Sequence, residues 1–155
     1  MLLILLFNYI NSNKLVQIYP ENNSIITERL PTFKWFGNAD KIIIDDNDEF
    51  VSPIIEDVVG NSYQIKNKLN FTTYYWKLIG KKGTSVWQFK IDSLVALRLK
   101  NESNLYNLSN IGNTNLDVEI QENKGSKITG RITLEQNETK QFEIKNSTLF
   151  VAKQR

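Results

Sequence analysis

Short runs rich in Ile, Val, Tyr, Phe and Thr recur along this chain, each cut off by Asn, Asp, Gly or Pro. No stretch of a dozen residues keeps an apolar i, i+3, i+4, i+7 stripe with caps at its ends, so helices are not expected. Many short strands separated by turn signals make a sandwich or a barrel. With 155 residues the chain suits one or two domains. Hydrophobic residues at 41% and charged residues at 23% are ordinary for a packed fold, so disorder is not expected.

The first half reads as strands at Leu15–Tyr19 and Ile25–Ile26 around a Pro20–Asn23 turn, then Thr32–Phe36 and Lys41–Asp45. Asp45–Asp48 reads as a polar hairpin tip, and Phe50–Ile54 as an edge strand marked by Pro53. Ser62–Ile65, Thr72–Ile79 and Val86–Ile91 complete the half. The strongest alternation sets Tyr74, Trp76 and Leu78 against Tyr75, Lys77 and Ile79. The second half begins near Asp92-Ser93. Its expected strands are Leu94–Leu99, Leu105–Ser109, Leu116–Ile120, Ile128–Leu134, Gln141–Ile144 and Thr148–Ala152. Turns are expected at Asn110–Asn113, Asn123–Gly125 and Gln136–Glu138. No aromatic cluster marks this half; Leu, Ile and Val are expected to supply its core. The boundary has no Gly/Ser/Pro linker, which predicts a stiff junction.

Composition excludes several chemistries. There is no Cys, hence no disulfide, thiolate metal site or Cys nucleophile. There is no His, which removes Ser-His-Asp catalysis and the commonest transition-metal ligand. Net charge is +2 with no long basic run, so nucleic acid is not an expected partner. No cofactor is expected. Six Asn-x-Ser/Thr sequons, at Asn22, Asn70, Asn101, Asn107, Asn137 and Asn146, arise in a chain rich in Asn; glycosylation is a hypothesis.

Residues 1–14 begin with an apolar run, Met1–Phe7, closed by Asn11-Ser12-Asn13-Lys14. It is far too short to span a bilayer. It matches the hydrophobic region of a secretory signal peptide, although no Lys or Arg precedes it and no A-x-A-like cleavage site follows. The alternative is a fragment or a mis-assigned start. Any membrane attachment is expected through this segment, uncleaved.

Pro31-Thr32-Phe33-Lys34-Trp35, Ile42-Ile43-Ile44-Asp45, Phe50–Ile54, Leu69–Leu78 and Ser85-Val86-Trp87-Gln88-Phe89 resemble, in order and spacing, the fibronectin type III pattern of prokaryotic surface proteins. The resemblance covers about Tyr19 to Ile91. It implies a core position for Trp35 and Trp76, and a tyrosine corner built from Leu69 and Tyr74. The family usually has Gly in the turn between that Leu and the Tyr pair; here Phe71-Thr72 stands. Asn110-Ile111-Gly112-Asn113, followed by alternating Leu116, Val118 and Ile120, resembles the short immunoglobulin-like domains that follow in secreted prokaryotic proteins. The expected fold is all-β: two tandem antiparallel β-sandwiches, fibronectin type III-like over 15–92 and Ig-like over 93–155.

Tyr75 and Trp87 are the candidate ligand-binding residues, as rings that stack on a sugar face. Trp87 shares a face with Phe89 and Ile91, which favours a core position for it. Asp45-Asp46-Asn47-Asp48-Glu49 offers oxygen ligands but fits no EF-hand spacing, so a solvated turn is expected and no metal site. Glu56-Asp57 and Asp45 with Glu49 are the carboxylate pairs open to glycoside hydrolysis. Lys81-Lys82-Gly83 is a basic loop. The expected function is a non-catalytic structural, adhesion or interaction module, secreted or on the cell surface. Its partner is a surface protein or a polysaccharide. The alternatives are a carbohydrate-binding module and an accessory fragment of a larger exported enzyme.

Overall fold

The computed structural model describes residues 14–102, 105–122, 127–143 and 148–155. The described residues contain strands and turns and no helix. The protein is all-β, and the chain divides between Asp92 and Ser93 into two compact units.

Unit 1 holds β1 (Val16–Tyr19), β2 (Ser24–Ile26), β3 (Thr32–Phe36), β4 (Lys41–Asp45), β5 (Ile54–Asp57), β6 (Ser62–Gln64), β7 (Thr73–Ile79) and β8 (Trp87–Ile91). They form a sheet β1-β3-β6 and a sheet β2-β8-β7-β4-β5. Alternation explains which side is inward. Phe33 and Trp35 of β3, Ile42 and Ile44 of β4, Tyr74, Trp76 and Leu78 of β7, and Phe89 and Ile91 of β8 make one buried cluster. Phe33 meets Trp76 and Phe89 edge-on, with centroids 5.0 and 5.8 Å apart. Gln17 is buried in β1 and donates its Nε2 to the Trp76 carbonyl at 3.0 Å, tying the two sheets together.

Three expectations are corrected here. The sandwich is not wholly antiparallel: β2 pairs in parallel with β8, Ser24 opposite Phe89 and Ile26 opposite Ile91. The fifth strand is Ile54–Asp57, not Phe50–Ile54. Phe50 adopts a left-handed φ of 55°, and its N–H closes a turn on the Asn47 carbonyl. Pro53 therefore precedes the strand. Asp45 is not a solvated tip residue; it ends β4, is 5% exposed, and its carboxylate accepts the Ser52 N–H at 3.0 Å. That bond ties the far side of the β4–β5 loop back to the end of β4.

Unit 2 holds β9 (Leu97–Glu102), β10 (Leu105–Asn110), β11 (Leu116–Glu122), β12 (Lys127–Leu134), β13 (Thr139–Phe142) and β14 (Thr148–Gln154). The sheets are β13-β10-β9 and β12-β11-β14, all antiparallel. Leu108, Leu116, Val118 and Leu134 form the core. Phe142 and Phe150, 6.2 Å apart, pack against it, so this core is not purely aliphatic. The first strand starts at Leu97 rather than Leu94. Leu94–Ala96 are instead clasped by the next turn: Asn113 N–H donates to Leu94 O at 3.1 Å and Ile111 N–H to Ala96 O at 3.0 Å. The expected Gln141–Ile144 strand is Thr139–Phe142. Ile144, the Asn123–Gly125 turn, the Asn146 sequon and residues 1–13 lie outside the described residues.

Asn110 anchors that turn. It is fully buried, donates Nδ2 to the carbonyls of Thr114, Leu134 and Glu135, and accepts the Gly112 N–H at 3.0 Å. Gly112 is required by contact: a Cβ there would lie 2.0 Å from the Leu94 carbonyl oxygen.

Candidate functional site

Register decides which face each aromatic takes. Trp76 pairs with Trp87 and Tyr75 with Gln88. Partners opposite one another share a face, so Trp87 lies on the inner side with Trp76 and Tyr75 on the outer side with Gln88. Trp87 is half-buried and meets Trp76 edge-on at 6.0 Å. The two candidate ligand-binding residues therefore do not form one platform.

Tyr75 does stand in a polar setting. It lines a shallow depression of about 460 Å³ with Asn22, Asn23, Asp48, Val86 and Gln88. The turn before β2 is locked onto β8. Asn23, at φ 63°, donates its N–H to the Gln88 carbonyl at 2.7 Å. The Asn22 side-chain oxygen accepts the Gln88 N–H at 3.0 Å, and Gln88 Nε2 donates to Asn23 Oδ1 at 2.6 Å. Ser24 closes the turn on the Glu21 carbonyl with both its N–H and its hydroxyl. Nothing in the single strand β7 announces Asn22, Asn23 or Gln88 as neighbours of Tyr75; the antiparallel β7–β8 register sets Gln88 opposite it, and the turn before β2, bonded to Gln88, brings Asn22 and Asn23. Beyond Tyr75, the Lys77 ammonium sits 4.1 Å from the centroid of the Phe50 ring.

A second cavity, of about 300 Å³, opens between β5 and the segment after β6. Ile44, Ile65, Leu69 and Tyr74 floor it, and all four are buried core residues. Glu56 points inward from the edge strand and takes Lys66 Nζ on both oxygens, at 2.8 and 2.9 Å. Burial, and then the Glu56 charge, push the Tyr63 hydroxyl above the usual phenol range. This cleft is a joint between the sheets, closed by an ion pair.

The other candidates do not converge. Glu56 and Asp57 alternate, Glu56 toward Lys66 and Asp57 toward Lys41 at 3.0 Å. Asp45 is committed to Ser52, and the Glu49 N–H caps the Asn47 side chain. Among the described residues, no three Asp or Glu side chains gather as a metal site. Lys81 and Lys82 are exposed in a β7–β8 loop closed by Thr84, whose N–H donates to Leu78 O while its hydroxyl accepts the Leu78 N–H.

Trp35, Leu69, Tyr74 and Trp76 are all buried. The Tyr74 hydroxyl accepts the Asn70 N–H at 2.9 Å. This is the tyrosine-corner geometry of immunoglobulin-like sandwiches, a phenol bonded to backbone a few residues upstream. The Phe71-Thr72 turn closes without glycine. Thr72 N–H reaches the Asn70 carbonyl at 3.0 Å, and the Arg29 guanidinium covers the Phe71 ring at 4.6 Å.

No protein-family model and no curated protein matches the chain. Among solved structures it is similar to the crystal structure of chicken CNTN1 FN1–FN3 domains. The identity is 13% and the TM-score 0.32, with 92% of this chain and 67% of that chain covered.

Proposed function

We propose that this chain is a non-catalytic interaction module of the cell exterior, and that the outer face of the five-stranded sheet is its contact surface. One observation carries the reading: Tyr75 stands on that face inside a frame of amides that are held in place by β2 and β8 and take no part in the core. The apolar run Met1–Phe7 and the resemblance to fibronectin type III domains of surface proteins support placement outside the cell.

The test is retention of the purified chain on insoluble polysaccharides and on cell-envelope preparations, with and without protease treatment of the latter. Retention that is lost when Tyr75 and Lys77 are both replaced by Glu supports the outer face. Retention indifferent to that double change overturns it. A second reading, a spacer or display module, is favoured by the two separate cores of units 1 and 2. It is the account left if nothing retains the protein.

A further inference from the structure

We infer that the Tyr75 depression binds a saccharide. The inference rests on the outer face being the contact surface and names what that face contacts. The lining combines one aromatic ring, three carboxamides, one carboxylate and one Val side chain. A sugar hydroxyl both donates and accepts. Carboxamides offer both roles in one plane, and a carboxylate only accepts. The apolar face of a pyranose covers an aromatic ring while its hydroxyls reach the rim.

Other ligand classes fit worse. A phosphate or sulfate would meet Asp48 and no Lys or Arg in the lining. A divalent cation would find a single carboxylate. A purely apolar ligand would strip water from the amides and give nothing back. An extended peptide adds to a sheet edge, whereas β7 is covered on both sides by β4 and β8.

The polar frame is ordered before any ligand arrives. Asn22 Oδ1, Asn23 Oδ1 and Gln88 Nε2 are engaged with one another or with backbone. Asn22 Nδ2, Asn23 Nδ2 and Gln88 Oε1 are left out of these bonds. Binding then costs little side-chain ordering. The depression is shallow, so it suits the flank or end of a polysaccharide chain rather than an engulfed monosaccharide.

The experiment uses the full chain, labelled with ¹⁵N, and follows amide shifts on titration with cellohexaose, chitohexaose, mannohexaose and maltohexaose. The expected result is that at least one probe moves the Asn23, Tyr75 and Gln88 signals together. Tyr75→Ala should weaken that binding about tenfold, while Tyr75→Phe keeps it and the melting temperature. Asn23→Gly is a second variant; its φ suits glycine, so it removes the amide without straining the turn. It should weaken binding as well. Probes that move none of these amides, or that bind Tyr75→Ala as well as the parent, overturn the saccharide assignment. If envelope retention is then lost both on protease treatment and on replacing Tyr75 and Lys77 by Glu, the outer face serves a protein partner. Silence in both assays overturns the contact surface itself.

Discussion

Tyr74 carries two duties that separate cleanly by substitution. Its ring stacks on Phe89 with centroids 5.8 Å apart, and its hydroxyl serves the Asn70 N–H. Tyr74→Phe keeps the ring and orphans the amide, so urea unfolding followed by Trp fluorescence should show a loss of about 1–2 kcal/mol. The same hydroxyl takes part in a pH response. Burial pushes Tyr19, Tyr63 and Tyr74 above the ordinary phenol value of 10.0; Glu28 adds to it at Tyr19 and Glu56 at Tyr63, while at Tyr74 the Asn70 N–H pulls part of the way back. A folded-state pKa raised above the unfolded one contributes stability that is complete below the unfolded value and is lost as pH rises past it. Unit 1 should therefore hold its melting temperature up to about pH 10 and lose it beyond. A melting temperature flat well above that pH would rule out the tyrosines as the cause.

The strands that alternate cleanly were legible in the sequence. β3 runs between the expected ends and β7 begins one residue late, because their period-two patterns leave one way to bury Phe33, Trp35, Trp76 and Leu78, and β4 is bounded by Lys41 and Asp45 on either side of its three Ile. Elements set by side chains from elsewhere were not. β5 was misplaced because Asp45 reaches across its loop to Ser52, and β9 because the Asn110–Asn113 turn captures Leu94–Ala96. The candidate site was half legible. Tyr75 was visible as the odd member of β7, but its amide frame comes from Gln88 of the neighbouring β8 and from the turn ahead of β2, a three-residue strand too short to carry a pattern. Trp87 was ambiguous because one strand alone fixes no register. The edge strand β5 also shows why Glu56 faces inward: a charge turned toward the core side of an edge discourages another chain from pairing there. Glu56→Leu should leave the melting temperature of unit 1 near its parent value, yet raise light scattering at high protein concentration. Unchanged scattering would show that Glu56 is not the guard.

The whole molecule divides its chromophores as it divides its cores. Trp35, Trp76 and Trp87 all lie in unit 1, so tryptophan emission is blind to unit 2. Gly112→Ala forces a Cβ against the Leu94 carbonyl and should destabilise unit 2 by about 2–4 kcal/mol. Calorimetry should show one transition moving down while the Trp-detected transition stays. A Trp transition that moves with it would show that the two units melt as one. The parallel contact between β2 and β8 has a mechanical meaning. These strands stand near opposite ends of unit 1's chain and point the same way. Tension entering ahead of β2 and leaving after β8 drags them lengthwise past each other. The bonds of that ladder, flanked by Asn23 N–H on Gln88 O and Asp92 N–H on Ile26 O, then bear load together. An antiparallel hairpin pulled at its open end surrenders its bonds one at a time. Unit 1 is thus laced to yield late when stretched between these two strands.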